Sequence, residues 1–179
     1  MNIDERALED YICDHIEEFK KSLEVFGHKN LVFVGRQIVI GEENRADLLF
    51  YSERKGELSG TADREYVVVE LKGREIELRD VAQVSRYMNA LYYALAVDEE
   101  KNQKYAHRVY GVLAGTGVQK EAAQVIDASK GAIDYVEVEP SVSCHFTPQP
   151  AILYEEKAIK LDRRIDRLYA KEDENDPRI

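Results

Sequence analysis

Cysteine is scarce in this sequence: Cys13 and Cys144 are the only two among 179 residues. They are too few and too far apart for a disulfide framework or a cysteine zinc site. The four histidines, His15, His28, His107 and His145, show no ligand spacing, which argues against a structural metal centre. No repeat, low-complexity tract or Pro/Gly-rich linker interrupts the chain before Pro140. No apolar run approaches the roughly 20 residues that cross a bilayer as a helix. The opening "MNIDERALED" is acidic and lacks the basic start and apolar centre of a signal peptide. A reducing, cytoplasmic location away from membranes is the expectation.

What is present in excess is negative charge. Acidic residues outnumber basic ones 35 to 25, for a formal net charge of −10 and a pI near 5.0. Such a chain does not coat nucleic acid through charge alone. Clustered carboxylates are, however, the ligands that a hard divalent cation requires. The hydrophobic content of 44% suits one globular domain with a sizeable core.

"DERALEDYICDHIEEF" predicts one helix, with Leu8, Ile12, Ile16 and Phe19 on a single stripe. "LVFVGRQIVI", "RADLLFY" and "EYVVVELK" predict three strands, the last two separated by the polar loop "SERKGELSGTADR". "ELRDVAQVSRYMNALYYALAV" predicts a long helix whose core stripe is Leu78, Val81, Val84, Met88, Leu91 and Leu95, with its tyrosines in the core. A strand in "HRVYGVLAGTGV", a short helix in "QKEAAQVIDA" and a strand in "AIDYVEVEP" follow. The order α-β-β-β-α-β-α-β predicts an α/β fold, a mixed sheet flanked by helices. The domain is expected over residues 1–140. Residues 141–179 are expected to hold a linker, a charge-alternating helix from about Leu153 to Lys171 and a frayed tail.

Charge stands where burial is expected. Tyr66, Val67, Val68 and Val69 form an apolar run that ends in Glu70, Leu71 and Lys72. Side chains alternate along a strand, so Glu70 and Lys72 emerge on the same side. Asp47 likewise leads into Leu48, Leu49, Phe50 and Tyr51. Neighbouring strands lie about 5 Å apart, so Asp47 and Glu70 can converge on one ion. Two carboxylates, a strand carbonyl and waters suit Mg²⁺. Lys72 beside them can orient or help deprotonate a water and offset the charge of a phosphate.

With these residues in this order, the sequence resembles the PD-(D/E)xK nuclease superfamily. "ALEDYI", "LVFVGRQ", "RADLLFY", "VVVELK" and "AQVSRYM" resemble, in order, the nuclease domain of the endonuclease NucS (EndoMS) family, over roughly residues 5 to 139. The resemblance implies a restriction-endonuclease-like fold and an endodeoxyribonuclease dependent on Mg²⁺ or Mn²⁺. Carried over by position, it implies catalytic roles for Asp47, Glu70, Lys72, Gln83 and Glu9. Asp47, Glu70 and the Leu71 carbonyl would hold the cation, with Glu9 binding a second ion or its water. Lys72 would position the water, and Gln83 would orient Lys72 or the phosphate. Ala46 stands where the superfamily name has proline, and the loop between Asp47 and Glu70 is longer than the simplest pattern. Neither that family's N-terminal DNA-binding domain nor its sliding-clamp peptide has an expected counterpart here, so the resemblance carries the cleavage domain alone.

Glu9 borders the apolar stripe of its helix, and Glu5 competes for the same role. Arg79, Gln83 and Arg86 share one helix face by their spacing, offering guanidiniums to phosphates. Arg36 and Arg45 complete the expected DNA-contacting set, against the plainer reading of solvated surface. DNA is the expected partner, whether branched, mismatched or single-stranded, with a homodimer presenting two sites. Two rival readings stand beside it: a non-catalytic nucleic-acid- or protein-binding module of the same fold, and an RNA-directed nuclease.

Overall fold

The computed structural model of the chain describes residues 3–41, 44–55, 62–99, 105–139 and 145–149. Helix α1 (Glu5–Asp14) starts at Asp4, whose carboxylate accepts the Arg6 N–H at 2.9 Å. The single helix expected over residues 4–19 is two, because α2 (Ile16–Glu24) begins after a break at His15. His15 leaves helical geometry at φ −118° and ψ 34°, and its ring Nδ1 lies 2.9 Å from the Tyr11 carbonyl oxygen. The two rings stack at 4.1 Å. The apolar stripe continues through the break, so Leu8, Ile12, Phe19 and Leu23 are all buried.

Six strands follow one another across a single sheet in chain order. They are β1 (Val32–Ile40), β2 (Asn44–Lys55), β3 (Ala62–Leu71), β4 (Tyr105–Gly115), β5 (Ile133–Glu139) and β6 (His145–Gln149). The pairs β1–β2, β2–β3 and β5–β6 are antiparallel, whereas β3–β4 and β4–β5 are parallel. Parallel neighbours need crossovers, and α3 (Leu78–Glu99) and α4 (Lys120–Ala128) supply them.

Both faces of the sheet are covered. Leu8, Ile12, Phe19 and Leu23 pack on Leu48, Phe50, Val67, Val69 and Val136. On the other face, Val81, Val84, Met88 and Leu91 of α3 and Ile126 of α4 pack with Leu49, Tyr51, Tyr66, Val68 and Leu113. Burial on both faces explains why β3 reads as a continuous apolar run rather than an alternation. Each such side chain contributes about 1.5–3 kcal/mol when fully buried. Gly111 lets α3 approach β4 closely, because a Cβ there would stand 2.6 Å from the Met88 sulfur.

The structure departs from the sequence reading at three further points. The segment expected as linker after Pro140 contributes β6, paired with β5 from Tyr135↔Gln149 to Glu139↔His145. Leu78 and Tyr93, assigned to the core, are each 51% exposed. The polar stretch between the second and third strands is strand at both its ends, since pairing of β2 and β3 continues to Lys55↔Ala62. The expected helix from about Leu153 to Lys171 lies outside the described residues. Among those residues, no helix is long and apolar enough to cross a membrane.

Candidate active site

The site forms where β2 and β3 part. Their pairing begins at Leu48↔Val69 and runs away from the site. Beyond that pair, β2 stays with β1 through Ile38↔Ala46, while β3 stays with β4 through Glu70↔Leu113 and Leu71↔Ala114. The fork leaves the Leu71 N–H without a strand partner, and the Asp47 carboxylate takes it at 2.7 Å. The Leu71 carbonyl leaves the backbone on the same strand edge as its own N–H, so it too faces the gap.

Glu70 and Lys72 pair directly, Nζ donating to Oε1 at 2.6 Å. Both are buried, 3% and 8% exposed. The other carboxylate oxygen, Glu70 Oε2, is buried with no hydrogen-bond partner. Burial, and then the charge of Asp47, push the Glu70 carboxyl up to about 7 despite Lys72. Burial also raises Asp47 above the ordinary carboxylate value, against the Leu71 N–H, Lys72 and Gln37. Burial opposes the charge of Lys72, but the hydrogen bond and charge of Glu70, with Glu5 and Asp80, hold its amine above the ordinary value. Lys72 is therefore an ammonium donor here and a poor base.

The loop after Lys72 is fixed from two sides. Asp80 accepts the Glu77 N–H at 2.8 Å and takes two hydrogen bonds from Arg74, at 2.8 and 2.9 Å. Gly73 accepts the Ile3 N–H, and a Cβ at Gly73 would lie 1.8 Å from the Ile3 carbonyl oxygen. Only glycine permits that approach, which brings the start of α1 against the end of β3. Glu5 consequently accepts the Gly73 N–H at 3.3 Å, and its charge is felt by Glu70 and Lys72.

Glu9, one turn along α1 from Glu5, is 8% exposed and accepts a hydrogen bond from Gln37. The same Gln37 nitrogen donates to Asp47 Oδ1 at 3.1 Å. A cleft of about 490 Å³ opens here, walled by Glu5, Arg6, Glu9 and Asp10 of α1, Arg36 and Gln37 of β1, and Arg45 and Asp47 of β2. Arg36 pairs with Asp10 and stands 3.6 Å from Glu9.

Asp47, Glu70, Lys72 and Glu9 thus gather at one end of the sheet, with Arg36 and Arg45 in the cleft wall. Neither Glu70 and Lys72 nor Gln83, Arg79 and Arg86 line that cleft, but Glu70 and Lys72 join it through Asp47, whose charge Glu70 feels and which itself feels the charge of Lys72. Gln83 donates to the Tyr87 hydroxyl at 2.6 Å on its own helix. Arg79 pairs with Glu77 at 2.8 Å and is largely exposed, as is Arg86. Two groups carried little weight in the sequence: Gln37, which with Arg36 falls in the matched "VGRQ" but reads equally as a structural hydrogen-bonding residue, and Glu5, set behind Glu9.

Among the described residues, no three His, Cys, Asp or Glu side chains are grouped as a ready metal cluster. The donor set nevertheless fits a hard cation that keeps part of its hydration shell. It offers a buried and a half-buried carboxylate, both of raised proton affinity, the buried one with an orphaned oxygen, and a carbonyl on the gap edge.

No family model and no curated protein matches the sequence. Two solved structures are similar to it. One is a repair endonuclease from Pyrococcus abyssi, at 18% identity and a TM-score of 0.48, over 79% of this chain and 49% of that one. The other is an EndoMS–dsDNA complex, at 20% identity and a TM-score of 0.41, over 69% of this chain and 45% of that one. The chain spans about half the length of the solved structures it matches.

Proposed function

We propose that the protein is a phosphodiesterase of the endonuclease type, acting on DNA with Mg²⁺ or Mn²⁺ held by Asp47, Glu70 and the Leu71 carbonyl. The observation that carries this reading is the orphaned Glu70 Oε2, buried beside a second carboxylate whose charge burial opposes. Two such acids at the mouth of an apolar sheet destabilise the fold unless a cation or proton offsets them. A divalent cation supplies Lewis-acid stabilisation of the charge that develops on a phosphate during hydrolysis.

The remaining work falls to the chain's own groups. Lys72, held by Glu70 Oε1, donates from a protonated amine toward a phosphate oxygen or the attacking water. Glu9 adds a carboxylate on the helix side of Asp47, able to accept a proton or orient a water. Arg36 and Arg45 offset phosphate charge along the wall of a cleft that otherwise carries four acids. A chain of net charge −10 needs such local cations to admit a polyanion at all.

The test is incubation with single-stranded, duplex, branched and mismatched DNA and with RNA, in Mg²⁺, Mn²⁺ or EDTA. Cleavage of DNA that needs the cation and is lost in Asp47→Ala and Glu70→Ala is the expected result. Cleavage that survives EDTA overturns the cation. Binding with no cleavage of any substrate overturns the enzyme in favour of a binding module.

A further inference from the structure

Gln37 stands opposite Asp47, between the registered pairs Arg36↔Leu48 and Ile38↔Ala46. It adopts φ +53° in the middle of β1. That is left-handed backbone, which a long side chain rarely occupies outside turns. The consequence is visible in its neighbours. Residues two apart in a strand ordinarily share a face, yet Arg36 reaches Glu9 and Asp10 of α1 while Ile38 belongs to the core under α3. Its partner strand switches at the same point, with Leu48 in the α1 layer and Ala46 in the α3 layer. Both strands turn over here, and the side chains at the turnover are Gln37 and Asp47.

The Gln37 side chain has a specific use for this placement. A primary amide nitrogen carries two N–H donors, and one nitrogen is bonded to both Glu9 Oε2 and Asp47 Oδ1. Those acceptors lie on different elements, α1 and β2, and both carry negative charge. Strained backbone survives only where the surrounding structure enforces it, and it concentrates at functional sites. Stability alone does not explain glutamine at this point, because glycine adopts the same backbone freely.

We infer that Gln37 is a positioning residue for the cation site: its amide draws the Glu9 and Asp47 carboxylates together and fixes how Asp47 faces the gap beside Glu70. The inference rests on the proposed cation site and adds a further side chain to it, one that touches the carboxylates and not the ion. It also predicts that function and stability separate at this residue.

Gln37→Gly removes the amide and relieves the left-handed backbone, and Gln37→Ala removes the amide while keeping the strain. Mn²⁺ binding to the full chain, followed by electron paramagnetic resonance or calorimetry, is read alongside Tm in EDTA. Both variants should bind Mn²⁺ about 10- to 100-fold more weakly, the usual effect of losing a group that orients a ligand. Gln37→Gly should melt at or above the wild-type temperature and Gln37→Ala below it. Wild-type affinity in a folded Gln37→Gly protein, or affinity loss only where Tm falls, overturns the positioning role. A wild-type chain that binds no Mn²⁺ at millimolar concentration overturns the cation site itself, and this inference with it.

Discussion

The backbone N–H of Leu71 reaches the Asp47 carboxylate at 2.7 Å, across the point where β2 and β3 stop pairing. Asp47 therefore has two duties, closing an open backbone donor and presenting charge to the gap. Substitutions separate them. Asp47→Asn keeps an oxygen for the Leu71 N–H and loses the charge, whereas Asp47→Ala loses both. An unmet buried donor costs about 1–3 kcal/mol. Asp47→Asn should thus melt several degrees above Asp47→Ala in EDTA, while neither binds Mn²⁺. Equal melting of the two variants would show that the Leu71 hydrogen bond contributes nothing.

Glu70 gives a pH dependence with a definite sign. Its carboxyl is pushed up to about 7 from an ordinary 4.5 by burial and by Asp47. The folded chain holds this proton more tightly than the unfolded chain, so without a cation stability falls as pH rises from about 4.5 through 7. The loss is on the order of 3 kcal/mol, since each pKa unit corresponds to about 1.4 kcal/mol. Glu70→Gln should abolish that part of the slope in EDTA, melting above wild type at pH 8 and close to it at pH 5. Added Mg²⁺ should raise the wild-type Tm at pH 8 and leave Glu70→Gln unmoved. Parallel Tm profiles for the two proteins in EDTA would refute the assignment.

Much of this was legible in the residues, and the failures share a cause. The five strands from β1 to β5 announce themselves by apolar runs, β-branched in all but β2 and leucine and aromatic there, and α3 by its stripe. The break at His15 was hidden because Leu8, Ile12, Ile16 and Phe19 keep helical spacing straight through it. Strand β6 was hidden by Pro148, which an edge strand tolerates and an interior one does not. Asp47, Glu70 and Lys72 were readable because each breaks an apolar pattern locally. Gln37 breaks no pattern; its role comes from a backbone angle and from partners 28 and 10 residues away.

The buried His28 was equally invisible, because its partners are 37 and 106 residues distant. Its Nδ1 lies 2.6 Å from Glu65 of β3 and its Nε2 3.3 Å from Asp134 of β5, with the Tyr110 ring of β4 at 4.9 Å. Arg108 neighbours the same group: its proton affinity is raised first by a hydrogen bond to Tyr110 and last by the charge of Glu65. Two carboxylates call for two ring N–H donors, hence an imidazolium. Burial opposes that charge, but Asp134 and Glu65 outweigh it and raise His28 above the ordinary 6.5. Its stabilisation is complete below about 6.5 and fades as pH rises through the higher folded value. Burial likewise raises Asp134, against His28, and adds a loss of the same sign at lower pH. Urea unfolding at pH 6 and pH 9 should show a larger fall in stability for wild type than for His28→Gln, which keeps only the part that Glu70 contributes. The same fall in both proteins would assign it elsewhere.

On the proposed function, the arginines decide how an acidic chain admits DNA. Arg36 and Arg45 line the cleft, whereas Arg79 and Arg86 lie on α3 outside it. Each phosphate contact contributes about 0.9 to the slope of log affinity against log salt for duplex DNA. Arg36→Ala with Arg45→Ala should therefore weaken binding of a short duplex and lower that slope by about 1–2. Arg79→Ala with Arg86→Ala should leave the slope within error, because both are exposed on α3 and neither lines the cleft. Binding should be measured by fluorescence anisotropy over a salt series in Ca²⁺, which supports cation-dependent docking while slowing hydrolysis. A larger slope change in the α3 pair than in the cleft pair would move the DNA path from the α1 side of the sheet to the α3 side.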